Sequence, residues 1–482
     1  MAWTLRTLTD DAGVAARVAG DAGLTGIAYD SRAVRAGDLF CCFPGGSSDG
    51  HDHAPDAVAR GASCLLVERP LEVDVSQAAV HSVRDALGPL ASSFHGRPSE
   101  SMRVAGVTGT NGKTTTTYLV ESIASAAGLT TGLLGTVEYR VAGRTVPSTR
   151  TTPEAPDLQR TLAEMRDAGA EVVAMEVASH GLHQRRVSGT RFACAAFTNL
   201  TQDHLDYHGT MDDYFEAKAL LFQPSYTPRA VINIDDAAGR RLVERTRDLD
   251  VLTYGEGGDV HAVDVTPSAS GTTAVISTPE GRLETHSPLV GRYNVDNILC
   301  ATGICLVLGL PLDAVAAGVS TASAPGRLER VDAGQPFTVV VDYAHTPDAL
   351  ASVLTTARQL TQRRLIVVFG CGGDRDRAKR PLMGAAATSI ADLAVITSDN
   401  PRSEDPGAII REIAAGVARE GFVTEPDRRR AIERALSEAG PGDVVVIAGK
   451  GHETGQTFAG HTIEFDDRTV ARELLGGVGC RG

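Results

Sequence analysis

The chain has 482 residues, 42% of them hydrophobic and 22% charged, with a formal net charge of −14. That length suggests about three domains at ~150 residues each, and the composition is that of a globular protein with a full core. The negative balance argues against a general nucleic-acid binder, because the phosphate backbone would be repelled; an anionic substrate in a local basic pocket remains compatible with it.

Eight cysteines stand at 41, 42, 64, 194, 300, 305, 371 and 480, none in C-x-x-C spacing. No zinc knuckle or redox dithiol is expected, and scattered thiols fit a reducing cytoplasm. The N-terminus carries Asp10 and Asp11 with no apolar core of a signal peptide. The most apolar stretch, 298–319, is broken by Pro311 and Asp313 and reads as a buried helix with its turn, not a membrane span.

Residues 1–98 form the first expected domain. Short strands are expected at 24–30, 38–43 and 64–67, with a helix at 54–60. The loop 43–51 is dense in turn formers and in groups able to meet a phosphate or a base edge. It reads either as a surface connection or as a binding loop. Residues 97–101 read as a linker.

The central domain is expected over 99–330. Residues 104–107 are small and apolar, as in a buried parallel strand. G-T-N-G-K-T-T follows at 109–115, where Gly109 and Gly112 let backbone N–H groups curl toward an anion. Lys113 adds a positive charge, Thr114 a hydroxyl for magnesium, and the next helix its positive dipole end. The longer P-loop pattern needs glycine at 107, where Val107 stands. Strand, loop and helix nevertheless arrive in the order that a nucleotide triphosphate site requires.

Alternating strands and helices then imply a parallel sheet with helical cover. The apolar strand 171–177 contains Glu176, a costly carboxylate unless it is paired or on a metal. It is a candidate magnesium ligand or a buried salt bridge. After the strand 191–197 comes T-N-L-T-Q-D-H-L-D-Y-H at 198–208, whose acids and histidines look like a site. Residues 211–222 read as an amphipathic helix, and composition alone makes its Lys218 a solvated lysine. Asn294 and Asn297 share a face at i, i+3 spacing. Arg327 lies in the turn that closes the domain.

The third domain is expected over 331–482. Strands at 338–341, 365–369, 393–397 and 444–448 each end in a polar loop, and in a doubly wound sheet such loops line one crevice. Arg375, Arg402 and Glu453 in those loops could hold a ligand with both carboxylate and ammonium groups.

Three stretches together, 109–115, 198–208 and D-Y-A-H-T-P at 342–347, resemble the Mur ligase family over nearly the whole chain. The first-domain motifs D-S-R at 30–32 and G-D-L-F at 37–40, E-V-A-S-H-G-L at 176–182 and D-N-P-R at 399–402 resemble the members that use diaminopimelate. The resemblance implies an α/β fold of three domains: a small N-terminal α/β domain that binds a UDP-substrate, a central P-loop ATPase-like parallel-sheet domain, and a C-terminal Rossmann-like domain that binds an amino acid. It also implies a cytoplasmic, monomeric ligase of peptidoglycan precursor synthesis. The substrates would be ATP, UDP-N-acetylmuramoyl-L-alanyl-D-glutamate and meso-2,6-diaminopimelate, with magnesium as cofactor, no nucleic acid and no membrane insertion.

Roles follow position by position. Ser31, Gly46, Ser47 and Ser48 would bind the uridine diphosphate end, and Thr151, Thr152, Ser179, Gln184 and Arg186 the muramoyl-dipeptide. Gly109, Thr110, Asn111, Gly112, Lys113, Thr114 and Thr115 would cradle ATP, completed by Asn297, Arg327, Asp342 and His345. Thr114, Glu176 and His204 would ligate magnesium, and Lys218 matches the family's carbamylated lysine facing a second magnesium. Lys113, Glu176, His204 and Lys218 form the expected catalytic set. Asp399, Asn400, Pro401 and Arg402 match the diaminopimelate motif, with Arg375, Gly449 and Glu453. Two positions depart from relatives: Ala178 stands in place of serine and Arg150 in place of asparagine. The rival readings are a lysine-adding ligase, a folylpolyglutamate synthase and an ATP-binding regulatory protein.

Overall fold

The computed structural model describes residues 3–45, 48–141, 143–148, 150–268, 271–417 and 420–478. Three α/β units follow one another along the chain. The first holds a five-stranded sheet in the order 17–19, 76–79, 64–67, 38–41 and 26–28, parallel except at 17–19. Residues 24–30 are not one strand. Gly23–Leu24 pairs with Trp3–Thr4, whereas Gly26–Ala28 joins the five-stranded sheet. The chain changes sheets at Thr25, whose N–H and hydroxyl are drawn off to the Gly37 and Ala36 carbonyls. The expected linker is a 3-10 turn, Pro98–Glu100, entered through Arg97 at φ 49° and tied to Asp11.

The central sheet has eight strands, in the order 144–147, 138–141, 131–134, 172–176, 103–108, 194–197, 229–233 and 250–254. The last six are parallel, and the first two form an antiparallel hairpin on the edge. Strands buried on both faces read as continuous apolar runs, and Arg103–Thr108 does so, with only Arg103 reaching solvent. One face packs against helices Lys113–Ala126 and Arg292–Val307, the other against Ala155–Asp167. A three-stranded antiparallel meander, 261–268, 271–278 and 281–287, was not foreseen. Its middle strand alternates in burial and sends Ala274 and Ile276 into the central core.

The third unit is a six-stranded sheet in the order 329–331, 338–342, 444–448, 365–369, 393–396 and 422–424, parallel except for the first strand. Helices cover both faces, so the α/β, doubly wound expectation holds. Strand 444–448 lies between 338–342 and 365–369, which brings their three trailing loops side by side. Among the described residues no helix is long and apolar enough to cross a membrane.

Candidate functional site

Register builds the site. Glu176 pairs with Val107 on one side of the strand Arg103–Thr108, and Phe197 pairs with Thr108 on the other. Three adjacent parallel strands therefore end together. Their ends deliver Glu176, the loop 109–115 and the stretch 198–208 to one rim, where ligands bind in open α/β sheets.

The glycine loop is tight. Gly109 and Gly112 have φ of 150° and 86°, and a Cβ on either would collide with Thr198 or Asn297. The Lys113 ammonium donates to the Gly109 and Thr110 carbonyls at 2.9 and 2.8 Å, and burial lowers its pKa. Lys218 is not solvated. It is 1% exposed, and its Nζ donates to the same Gly109 carbonyl at 2.8 Å and lies 4.3 Å from the Tyr214 ring centre. Burial, then the Lys113 charge, pushes its pKa well below the usual lysine range. The helix Met211–Ala219, which stops short of 222 in a 3-10 turn, turns Lys218 inward with Tyr214 and Phe215.

Glu176 is 1% exposed and accepts three hydrogen bonds: from Thr114 Oγ1 at 3.0 Å, Thr136 N at 2.8 Å and Thr136 Oγ1 at 3.0 Å. No arginine or lysine pairs with it among the described residues, so the buried-salt-bridge alternative falls. His204 sits at φ 57° with its ring 3.4 Å from Asp203 and edge-on to His180. Burial drives its pKa to about 3, which leaves a neutral imidazole.

The third unit closes the other side. Arg327 Nη2 donates to Thr114 Oγ1 at 3.1 Å, and the guanidinium lies over the Tyr343 ring. Asp342 accepts from the Leu328 and Ala344 amides at 2.7 Å each, and burial raises its pKa. Asn297 donates to Asn294 at 3.0 Å, so that pair is buried and not at the surface. His345 Nε2 and Lys379 Nζ both approach Asp203, at 3.6 and 3.3 Å. Burial opposes ionisation of Asp203, but His345, Lys379 and His204 outweigh it and hold the carboxyl well below its usual range. Asn111 Nδ2 reaches Asp348 at 3.2 Å. One cavity of about 450 Å³ is lined by Gly109, Lys113, Glu176, Lys218, Arg327 and Asp342. Thr110, Asn111, Gly112, Thr114, Thr115, His204, Asn297 and His345 line it too.

Thr151 and Ser179 also line that cavity. Thr152 Oγ1 donates to the Glu176 carbonyl at 3.1 Å, and Arg186 Nη1 donates to the Thr152 carbonyl at 3.1 Å. Gln184 accepts from Arg186 at 2.5 Å, and Ser179 Oγ meets His208 Nε2 at 2.9 Å. In the first unit Ser31, itself half-buried, opens a 3-10 turn whose other two residues are exposed, and Ser48 is exposed. Gly46 and Ser47 lie outside the described residues.

The third unit's loops form a separate cluster. Asn400 Oδ1 accepts from Lys450 Nζ at 3.1 Å and from Thr457 N at 3.0 Å, so its Nδ2 faces Glu453 at 2.8 Å. Lys450 also donates to Glu453, at 2.9 Å. Asp399 packs against Gly449, where any Cβ would meet its carboxylate at 2.6 Å. Arg402, at φ 52°, donates to the Gly373 carbonyl, and Gly373 lies close against the Pro401 carbonyl. Burial, then neighbouring Arg375, lowers the Arg402 pKa. Thr136, Lys379 and Lys450 carry contacts that sequence reading missed. Lys379 sits in an ordinary charged stretch and Lys450 in the glycine loop after the strand 444–448, and only the fold reveals their burial.

Among the described residues no three His, Cys, Asp or Glu side chains converge as a closed metal cage. The oxygen donors Thr114 and Glu176 suit magnesium, which commonly uses one or two carboxylates plus substrate phosphates.

A glycine-loop anion site with a buried carboxylate, one buried lysine and one half-buried lysine, roofed by a second α/β sheet, defines a nucleotide-dependent α/β enzyme. Family models match in sequence: Mur ligase family, catalytic domain at 23–95, Mur ligase middle domain at 107–305, and Mur ligase, glutamate ligase domain at 326–451. The UDP-N-acetylmuramoyl-L-alanyl-D-glutamate–2,6-diaminopimelate ligase of Geobacillus kaustophilus is 50% identical over 95% of this chain and 96% of its own. The ligase of the same name from Gloeobacter violaceus is 46% identical over 100% of both chains. A solved structure of a ligase of that name is 34% identical, with a TM-score of 0.71 over 99% of this chain and 100% of that one. Folylpolyglutamate synthase of Mycobacterium tuberculosis, 22% identical with a TM-score of 0.66, covers 80% of this chain and 94% of its own, and shares the fold. The chain belongs to the Mur ligase family, and it is a ligase.

Proposed function

We propose that this ligase uses ATP to join meso-diaminopimelate to UDP-N-acetylmuramoyl-L-alanyl-D-glutamate, as a cytoplasmic monomer, in peptidoglycan precursor synthesis. The observation that carries this reading is a pair of linked sites. A triphosphate cradle at 109–115 is joined through Asp203 and Lys379 to the unit that bears Arg375, Arg402 and Glu453. Diaminopimelate carries a second amino-acid head where lysine has only an ammonium. Arg402 suits the added carboxylate as a bidentate partner, and Glu453 suits the ammonium.

The γ-phosphate passes to the side-chain carboxylate of the D-glutamyl residue, giving ADP and an acyl phosphate. The diaminopimelate amine attacks the acyl carbon. The tetrahedral intermediate collapses, the C–O bond to phosphate breaks, and an amide and inorganic phosphate result. Lys113, swinging from the Gly109 and Thr110 carbonyls to the nucleotide, offsets charge on the transferred group. Arg327 and Asp342 hold the nucleotide from the other unit, so catalysis depends on the two units closing together.

Thr114, Glu176 and His204 would hold magnesium, and Lys218 would do so once carbamylated. Bound there, magnesium would neutralise phosphate charge. The low proton affinity of Lys218 supports its modification, because carbon dioxide reacts with the free amine. Mass analysis of the product tests the function. A UDP-linked tripeptide containing diaminopimelate is expected, and an unchanged UDP-dipeptide in the presence of all substrates would contradict it.

A further inference from the structure

Lys450 is 0% exposed, and no step of the ligase reaction uses it. A buried lysine needs partners for its charge. Its Nζ donates to Asn400 Oδ1 at 3.1 Å, to Glu453 Oε2 at 2.9 Å and to the Gly455 carbonyl at 2.6 Å. An ammonium has three protons and no acceptor, so Lys450 is saturated by the chain and has nothing left for a ligand. It acts on the two side chains it holds.

Asn400 Oδ1 also accepts from the Thr457 amide at 3.0 Å. Two donors on one oxygen settle which way the amide faces, because the flipped amide would turn its own N–H groups on both. Nδ2 therefore points to Glu453 Oε2, at 2.8 Å, and toward a ligand Asn400 can only donate. Glu453 Oε2 is filled by Lys450 and Asn400, which leaves Oε1 as its acceptor for a ligand; the side chain is 31% exposed. The hairpin of Gly455–Phe458 and His461–Glu464 fastens the same motif. Gln456 Nε2 donates to the Asp399 carbonyl at 2.7 Å, and the Arg402 amide donates to the Thr457 carbonyl at 3.0 Å. A donor side, Asn400 with Arg402, is thus set against an acceptor side, Glu453. The carbon of an amino-acid head carries a carboxylate and an ammonium, and it meets this pair in one sense only, carboxylate to the donors and ammonium to Glu453. The reacting amine at the molecule's other end is a third fixed point. Three fixed points tell a stereocentre from its mirror image, and two do not.

We propose that Lys450 is the positioning residue that sets stereoselectivity for the amino-acid substrate: by fixing the Asn400 amide and the Glu453 carboxylate, it selects the configuration at the carbon that both hold. Lys450 acts through these two and touches no substrate atom. Without it the amide is free to flip and Glu453 to rotate, so donor and acceptor can trade places and admit the other configuration. The proposal deepens the diaminopimelate reading above and rests on it. Meso- and LL-diaminopimelate differ at one centre only, so the two isomers separate orientation of the head from affinity for it.

The test compares kcat/KM for meso- and LL-diaminopimelate in the full chain, for the parent protein, Lys450→Met and Lys450→Gln. The parent is expected to favour the meso isomer. In Lys450→Met the meso-to-LL ratio should fall about tenfold or more, the scale of one hydrogen bond to a charged group, while the KM for ATP stays put. Lys450→Gln, which keeps a donor for Asn400 but no charge for Glu453, should fall between the two. Binding of ATP to each variant reports the fold, and Lys450→Gln carries the test if Lys450→Met does not fold. A loss shared equally by both isomers, or loss of ATP binding in both variants, would make Lys450 a structural lysine and overturn the proposal. A parent that uses the two isomers equally would overturn it too, yet leave the ligase reading standing. A parent that forms amide with neither isomer would sink the diaminopimelate reading itself, and the proposal with it.

Discussion

Lys113 and Lys218 donate to one atom, the Gly109 carbonyl oxygen, at 2.9 and 2.8 Å. Two lysines on one acceptor cannot both hold full charge cheaply in a buried site, and Lys218 gives way: its proton affinity falls well below that of an ordinary lysine. Burial lowers the Lys113 pKa less far, so in the proposed reaction Lys113 serves as the cation for the nucleotide. Lys113→Ala should therefore lower kcat by about 10²–10³-fold or more, the scale of losing one preorganised charge-stabilising group. Steady-state ADP release measures it, and full activity in the variant would contradict the assignment.

The same pair bears on the proposed reaction of Lys218 with carbon dioxide. Enzyme freed of carbon dioxide should lose activity and regain it with bicarbonate at fixed pH. Lys218→Arg, whose guanidinium cannot form the carbamate, should stay inactive with or without bicarbonate. Activity indifferent to bicarbonate in the parent, together with an active Lys218→Arg, would remove the modification from the account.

Arg402→Lys should raise the KM for diaminopimelate about 10–100-fold, since one charged point replaces a two-pronged grip worth ~1.5–3 kcal/mol. The KM for ATP should not move, because Arg402 lies outside the nucleotide cavity. Initial rates with each substrate varied in turn separate the two.

Glu404 accepts both terminal nitrogens of the fully buried Arg380, and its pKa is lowered to about 2, chiefly by that hydrogen bond. A depressed carboxylate contributes stability that is fully present above its ordinary value of 4.5 and is lost as pH falls toward 2. Glu404→Gln should thus be less stable than the parent at neutral pH and indistinguishable from it near the lower bound. Denaturant unfolding at a series of pH values checks the sign.

Arg428 and Asp467 are both 0% exposed and joined by two hydrogen bonds of 2.8 and 2.7 Å. Asp467→Ala would leave a buried guanidinium without its anion, at a cost of about 3–5 kcal/mol. Thermal unfolding of the two proteins measures it.

Much of this was legible in the sequence where local chemistry is demanding. The loop 109–115 needs glycine, lysine and threonine in fixed order between a strand and a helix, and the parallel strands are apolar without alternation because both faces are covered. Lys218 was misread because its burial is decided across the fold: the acceptor of its Nζ lies 109 residues earlier in the chain. Lys379 gives no local signal for the same reason, since its partner Asp203 is distant in sequence; Lys450 has Glu453 three residues on, but its contact with Asn400 spans 50 residues. The meander at 261–287 is hard to read because threonines and serines outnumber apolar residues in its strands, and its face toward the core is marked by Ala262, Val265, Ala274, Ile276 and Leu283 alone.

The most direct measurement is phosphate release from ATP in the presence of UDP-N-acetylmuramoyl-L-alanyl-D-glutamate, with meso-diaminopimelate, L-lysine or no amine added. Turnover with diaminopimelate alone is expected. Turnover with lysine would keep the ligase and contradict the role given to Arg402. No turnover with either amine, in a protein that binds ATP, would contradict the proposed reaction itself.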